Sequence, residues 1–156
     1  METVYLETTF ISLLVADRKA DLITAANQEA TVDWWTHRHE SFMCVASTEV
    51  LRESSVGDAE QVRRRIELLS TLPILQPEEQ AERLAAAFLQ TGALPPRAQA
   101  DAAHLGIATA AGVDYLLTWN CRHLANAQIL RRLEREATKH GWKLPKVCTP
   151  PELMGE

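Results

Sequence analysis

Apolar positions along this chain alternate between short continuous runs and stripes spaced three or four residues apart. The runs Val4-Tyr5-Leu6, Phe42-Met43-Cys44-Val45, Leu72-Pro73-Ile74-Leu75 and Asp114 to Thr118 predict strands, and Lys146-Val147-Cys148-Thr149 predicts a last strand at an edge. Pro73 lacks an N–H for a ladder, which places its strand at an edge too. Between the runs lie helical stripes. Phe10, Ile11, Leu13 and Leu14 form one that ends near Asp17-Arg18. A longer helix over Asp21 to His37 takes Leu22, Ile23, Ala26, Ala30, Val32, Trp34 and Trp35 as its apolar positions. Ser47 is suited to cap a helix that Gly57 ends, and Asp58 with Gln61 has capping-box spacing for the next, whose buried face is Val62, Ile66 and Leu69. Further helices are expected over Glu78 to Gln90, Arg97 to Ala111 and Arg122 to His140, the last two stopped by Gly112 and Gly141. Strands alternating with helices imply an α/β fold whose parallel sheet is covered on both faces.

Length and composition narrow this picture. With 156 residues, 46% hydrophobic and 24% charged, and no repeat or composition shift, the chain is expected to be one domain over residues 1–156. A net charge of −5 excludes nucleic-acid binding by overall charge, so a nucleic-acid substrate would need a local basic rim. Arg122, His123, Arg131, Arg132 and Arg135, with Arg63 to Arg65, are the residues available for one. Cys44, Cys121 and Cys148 are odd in number and scattered, which suits a reducing cytoplasm rather than a disulfide framework. Glu7 interrupts any N-terminal apolar segment, and no run approaches the roughly 20 apolar residues of a membrane span. A soluble cytoplasmic protein is expected.

Four polar residues stand where elements begin or end. Glu7 closes the first strand, Glu53 lies near the end of the helix before Gly57, Asp101 opens an almost wholly apolar helix, and Asn120 follows the strand ending at Thr118. In a parallel sheet the strand carboxyl ends and adjoining helix starts share one rim, where ligands bind. Three carboxylates gathered there repel unless a cation intervenes, which makes a divalent metal the natural resolution. Asp101 carries this reading furthest, since an acid in an apolar helix must be paired, metal-bound or at a rim; the structural alternative is a helix-dipole role. Glu53 could equally be an exposed neighbour of Glu49, Glu7 a helix cap and Asn120 a turn residue. His104, three residues after Asp101, could face the same cleft, although a histidine on an apolar helix is more often a hydrogen-bonded core residue. Trp119 is the tryptophan placed to stack on a base.

Taken in order, these segments resemble the PIN-domain family, and within it the VapC-like toxin ribonucleases of bacterial toxin–antitoxin pairs. Val4-Tyr5-Leu6-Glu7-Thr8-Thr9 is similar to the family's opening strand and acid. Ser47 to Glu53 with Gly57 is similar to its Ser-led helix carrying a glutamate. Ala100-Asp101-Ala102-Ala103-His104 and Asp114 to Asn120 resemble the third and fourth acidic motifs. The likeness implies a three-layer α/β/α sandwich with a small, mostly parallel sheet. It implies Mg²⁺- or Mn²⁺-dependent hydrolysis of RNA, with Glu7, Glu53, Asp101 and Asn120 as catalytic and metal-binding residues. Thr8, Thr118, Arg122 and His104 would support them or the substrate. A small antitoxin protein and a homodimer are the implied partners. Glu7 and Asn120 stand where the family usually has Asp, which leaves a second reading, a PIN-like domain that binds RNA or protein with weak or no catalysis. A receiver-like domain would need an acidic pair that Leu6-Glu7-Thr8 does not provide.

Overall fold

The structure is a computed structural model and describes residues 1–155. The chain runs β1 (Thr3–Leu6), α1 (Thr8–Val15), α2 (Leu22–Arg38), β2 (Met43–Ser47), α3 (Thr48–Ser54), α4 (Ala59–Leu69), β3 (Ile74–Leu75), α5 (Glu79–Gln90), α6 (Gln99–Ala110), β4 (Tyr115–Leu117), α7 (Ala127–Lys139) and β5 (Lys146–Cys148). Single 3-10 turns follow α2 at His39–Ser41 and β5 at Pro150–Leu153. Every strand pairing is parallel and the sheet order is β3-β2-β1-β4-β5. The expected α/β/α sandwich is therefore present, with β3 and β5 at the two edges.

β1 lies at the centre, and Val4, Tyr5 and Leu6 are completely buried, which is why the run reads as continuously apolar. The chain crosses from β1 outward through β2 to β3, then returns to lay β4 against the other side of β1. The carboxyl ends of β1 and β4 flank this reversal, and such a switch point leaves a crevice. On one side α1 packs on α2 and α4; on the other α5 packs on α6 and α7, while α3 touches α1, α4 and α6. Gly106 makes the α5–α6 approach possible: a Cβ there would come within 2.5 Å of the Ala81 carbonyl. Gly57 has φ +117°, a backbone that side chains disfavour, and it lets the chain turn from α3 into α4.

Three expectations change in detail. The buried face of α2 is Gln28, Thr31 and Trp34, while Leu22 and Ile23 are 86% and 74% exposed and Val32 is exposed as well. Gln28 is drawn inward because its amide donates to the carbonyls of Leu13, Ala16 and Asp17, securing the end of α1. The last long helix starts at Ala127 rather than Arg122, since Asn126 caps it by accepting from Ile129 N–H. Residues 121–125 instead fold around the Asn120 carbonyl, which accepts from the amides of Leu124 and Ala125. Finally, Asp58 accepts from Gln61 N–H as a capping box requires, but the Gln61 side chain reaches Asp17 instead of closing the box.

Candidate metal centre

Glu7 leaves β1 in extended conformation and caps α1, its Oε2 accepting from Thr9 N–H at 2.9 Å. Glu7 is therefore a helix cap, and it holds that place at the rim of the sheet. The same oxygen accepts from the hydroxyls of Thr9 at 2.5 Å and Thr118 at 2.9 Å. Thr118 ends β4, so these bonds tie the two central strand ends together. Glu7 is only 3% exposed, and its second oxygen, Oε1, has no hydrogen-bond donor among the described residues.

Glu53 comes from the last turn of α3, whose start is fixed by the predicted Ser47 cap on Val50 N–H. Its Oε1 accepts from Thr8 Oγ1 at 2.6 Å and from the Nε2–H of His104 at 2.5 Å. Glu49 turns away to an exposed ion pair with Arg52, which removes the like-charge conflict at i,i+4. His104 is fully buried on α6, and its Nδ1 shares a 2.6 Å hydrogen bond with the Tyr5 hydroxyl, itself 2.6 Å from Ser47 Oγ. Glu7, Glu53 and His104 each present one ligand-type atom within 4.8 Å of the others. His104 Nε2 lies 3.9 Å from Glu7 Oε1.

Electrostatics follow from this packing. Burial works against a charged His104, but the hydrogen bond to Glu53 and the fields of Glu7 and Glu53 outweigh it, and its pKa is raised. Burial likewise opposes the Glu53 carboxylate, yet the bonds from His104 and Thr8 and the imidazole charge hold its pKa below the ordinary value. Tyr5 stays a neutral phenol, its pKa driven up chiefly by burial.

Asp101 sits beside this group in the first turn of α6, and its oxygens are engaged separately. Oδ1 accepts from Asn120 Nδ2 at 2.9 Å, and Oδ2 lies 3.1 Å from His123 Nδ1. The Asn120 amide oxygen accepts from His123 N–H, so both ends of that amide are committed to holding the turn and Asp101. An acid at 120 would set two carboxylates against each other here; the amide donates instead. Asn120 N–H donates to Thr118 Oγ1, which links Asp101 through Asn120 and Thr118 to Glu7. The close cluster is thus two glutamates and a histidine, with Asp101 joined to it through a polar chain.

Sequence reasoning gave Tyr5 and Thr9 no part in the site, and it offered His123 to a basic rim rather than to Asp101. Thr9 binds Glu7 and accepts from Trp119 N–H, and His123 donates its backbone N–H to the Asn120 amide oxygen. The Trp119 indole donates to Thr31 on α2, so its ring is tied down rather than offered to a base. Arg122 is exposed and makes no ion pair among the described residues, whereas Arg63 and Arg64 are committed to Glu60, Glu67 and Asp17. A broad groove of about 580 Å³ between α5 and α7, bordered by Leu84, Ala87 and Trp142, includes none of the clustered acids.

The donor set suits a divalent cation. Glu7 and Glu53 each give one oxygen to protein donors and keep the other without one among the described residues, and a buried imidazole lies within 4.8 Å of both carboxylates.

The same architecture occurs in solved structures. A structure described as VapBC2 from Rickettsia felis bound to a DNA fragment from their promoter matches 94% of this chain and 98% of its own, with TM-score 0.56 and 16% identity. The chain has a VapC-like PIN fold. A DNA-bound VapBC from Salmonella typhimurium aligns over 96% of this chain and 99% of its own, with TM-score 0.54 and 16% identity. No family model matches the chain, and no curated protein does. At such identity the likeness concerns the fold. No described helix is long and apolar enough to cross a membrane.

Proposed function

We propose that the protein is a divalent-metal-dependent endoribonuclease, the toxin of a type II toxin–antitoxin pair. The observation that carries this reading is the Glu7–Glu53–His104 cluster, in which Glu7 and His104 are buried and Glu53 half-buried, joined to Asp101 at the switch point of a VapC-like PIN fold. Glu7 and Glu53 would hold Mg²⁺ or Mn²⁺, with Asp101 as the further carboxylate. A bound ion of this kind activates water and neutralises charge on phosphoryl oxygens. Thr9 and Thr118 keep Glu7 oriented, and Thr8 does the same for Glu53. Asn120 and His123 hold Asp101 at the rim, and exposed Arg122 supplies positive charge for an RNA backbone.

An antitoxin-like protein and a second copy of the chain are the partners this reading implies. Exposed Leu22, Ile23 and Val32 on α2 provide apolar surface for contact. A domain that binds without cutting is the weaker alternative, because Glu7 is almost fully shielded from solvent and keeps one carboxylate oxygen without a donor among the described residues, a cost that a bound cation offsets.

The test is cleavage of defined RNAs by full-length protein with Mg²⁺ or Mn²⁺. Asp101→Asn, which keeps the side chain's size, should lower the metal-dependent rate at least about 100-fold, the scale expected for loss of metal-site chemistry. Undiminished cleavage in that variant, from ribonuclease-free preparations, would overturn the proposal.

A further inference from the structure

We infer that His104 is itself a metal ligand, and that it gives the site a preference for first-row transition ions such as Mn²⁺ over Mg²⁺. The inference builds on the metal-centre reading above but does not require that the protein cut RNA. Its geometric basis is the placement of Nε2: 2.5 Å from Glu53 Oε1, 3.9 Å from Glu7 Oε1, and fully buried. Two atoms bound to one ion at about 2.1 Å stand roughly 3 to 3.5 Å apart, so these separations need only small side-chain rotations to close on a common centre.

The Tyr5–Ser47 pair decides which nitrogen is available. Tyr5 Oη lies 2.6 Å from both His104 Nδ1 and Ser47 Oγ. With its hydrogen on Nδ1, the ring donates to Tyr5 Oη and the Tyr5 hydroxyl donates to Ser47 Oγ. Nε2 then turns its lone pair toward Glu7 and Glu53, and the hydrogen it carried toward Glu53 passes to solvent. Metal-bound histidines are oriented in this way by a partner on the other ring nitrogen. Tyr5 is the positioning residue, and burial keeps it a neutral phenol able to serve.

Charge and ligand type point the same way. Two carboxylates and one neutral imidazole balance a divalent ion. Mg²⁺ favours all-oxygen surroundings and retained water, whereas first-row transition ions accept an imidazole nitrogen beside carboxylates; Mn²⁺ binds it most weakly of that series, but a buried nitrogen donor still shifts the balance away from Mg²⁺, and Mn²⁺ is the paramagnetic member that reports it.

The experiment uses the full chain without RNA. Mn²⁺ is added in the presence of about tenfold excess Mg²⁺, an excess chosen to expose a preference of the kind ligand type creates. Spin-echo spectroscopy then reads whether a ¹⁴N nucleus is bound directly to Mn²⁺. Wild type should keep Mn²⁺ and show the nitrogen coupling. His104→Gln should lose the coupling and bind Mn²⁺ at least about tenfold more weakly, with a smaller change for Mg²⁺. Tyr5→Phe, which retains the ring in the core, should weaken Mn²⁺ binding in the same direction. Absence of nitrogen coupling in wild type, displacement of Mn²⁺ by equal Mg²⁺, or failure to bind either ion overturns the inference, and the wild-type measurement stands even if a variant does not fold. A protein that shows the nitrogen ligand but cleaves no RNA overturns the nuclease reading alone. One that cleaves RNA with Mg²⁺ and binds Mn²⁺ without nitrogen overturns this inference alone.

Discussion

At the scale of single residues, the part-buried His104–Glu53 contact governs how the metal-free protein should respond to pH. His104 has a raised pKa, so its contribution to stability is complete below its unfolded value near 6.5 and fades as pH rises through the folded one. Glu53 has a lowered pKa, so its contribution is complete above about 4.5 and fades as pH falls through the folded value. Both are present together between these limits. The stability difference between wild type and Glu53→Gln, measured by denaturant unfolding in chelator, should therefore be greatest near pH 5 to 6 and shrink toward pH 9. A difference constant from pH 5 to 9 would mean that the pair carries no linked proton. Glu7, Glu53, Asp101 and Asn120 could be picked from sequence because each marks an element boundary, which is a local property. Their division into a Glu7–Glu53–His104 cluster and an Asp101–Asn120–His123 arm could not, because it depends on partners such as Tyr5 and His104 that are 99 residues apart.

Among the elements, α6 does two jobs. Its first turn presents Asp101, its next turn presents His104, and its remaining length packs against α5 through Gly106. A glycine inside a helix is ordinarily a weakness, and replacement by alanine would add about 1 kcal/mol of helix propensity at an exposed position. Here the added Cβ meets backbone, at 2.5 Å from Ala81 O and 3.2 Å from Ala85 N, and no rotamer change can relieve it. Gly106→Ala should therefore destabilise the protein by about 1–3 kcal/mol despite the propensity gain. For a chain of this size, that lowers the melting temperature by about 2–4 °C per kcal/mol. A melting temperature equal to or above wild type would show that the helices can part without cost. Element order was readable because periodicity switches cleanly between strand and helix. The facing of α2 was not, since its buried positions include Gln28 and Thr31, while Leu22 and Ile23 face outward. Hydrophobicity alone misassigns a helix whose inward polar groups secure a neighbour's carbonyls.

On the scale of the whole molecule, the sheet should open as one body, and the cysteines can report on that. Cys44 lies on β2 and Cys148 on edge strand β5, with β1 and β4 between those strands, while Cys121 is exposed in the turn after β4. Burial pushes the Cys44 thiol up to about 11 and the Cys148 thiol, chiefly for the same reason, up to about 12. At pH 8 roughly one in a thousand or fewer of either would be thiolate, the reactive form. Treatment with an aromatic disulfide reagent at that pH should therefore modify one thiol per native chain quickly and all three in denaturant. If the sheet is one cooperative unit, Cys44 and Cys148 should become reactive together, with the same dependence on denaturant as global unfolding. Earlier modification of Cys148 would instead mean that β5 peels from β4 before the rest opens. That outcome would bear on the site as well, because Thr118 N–H is held by the Cys148 carbonyl while the Thr118 hydroxyl holds Glu7. Loosening β5 would then release one of the three donors to the Glu7 carboxylate, so chelator-free Mn²⁺ should protect Cys148 if the metal centre and that edge are coupled.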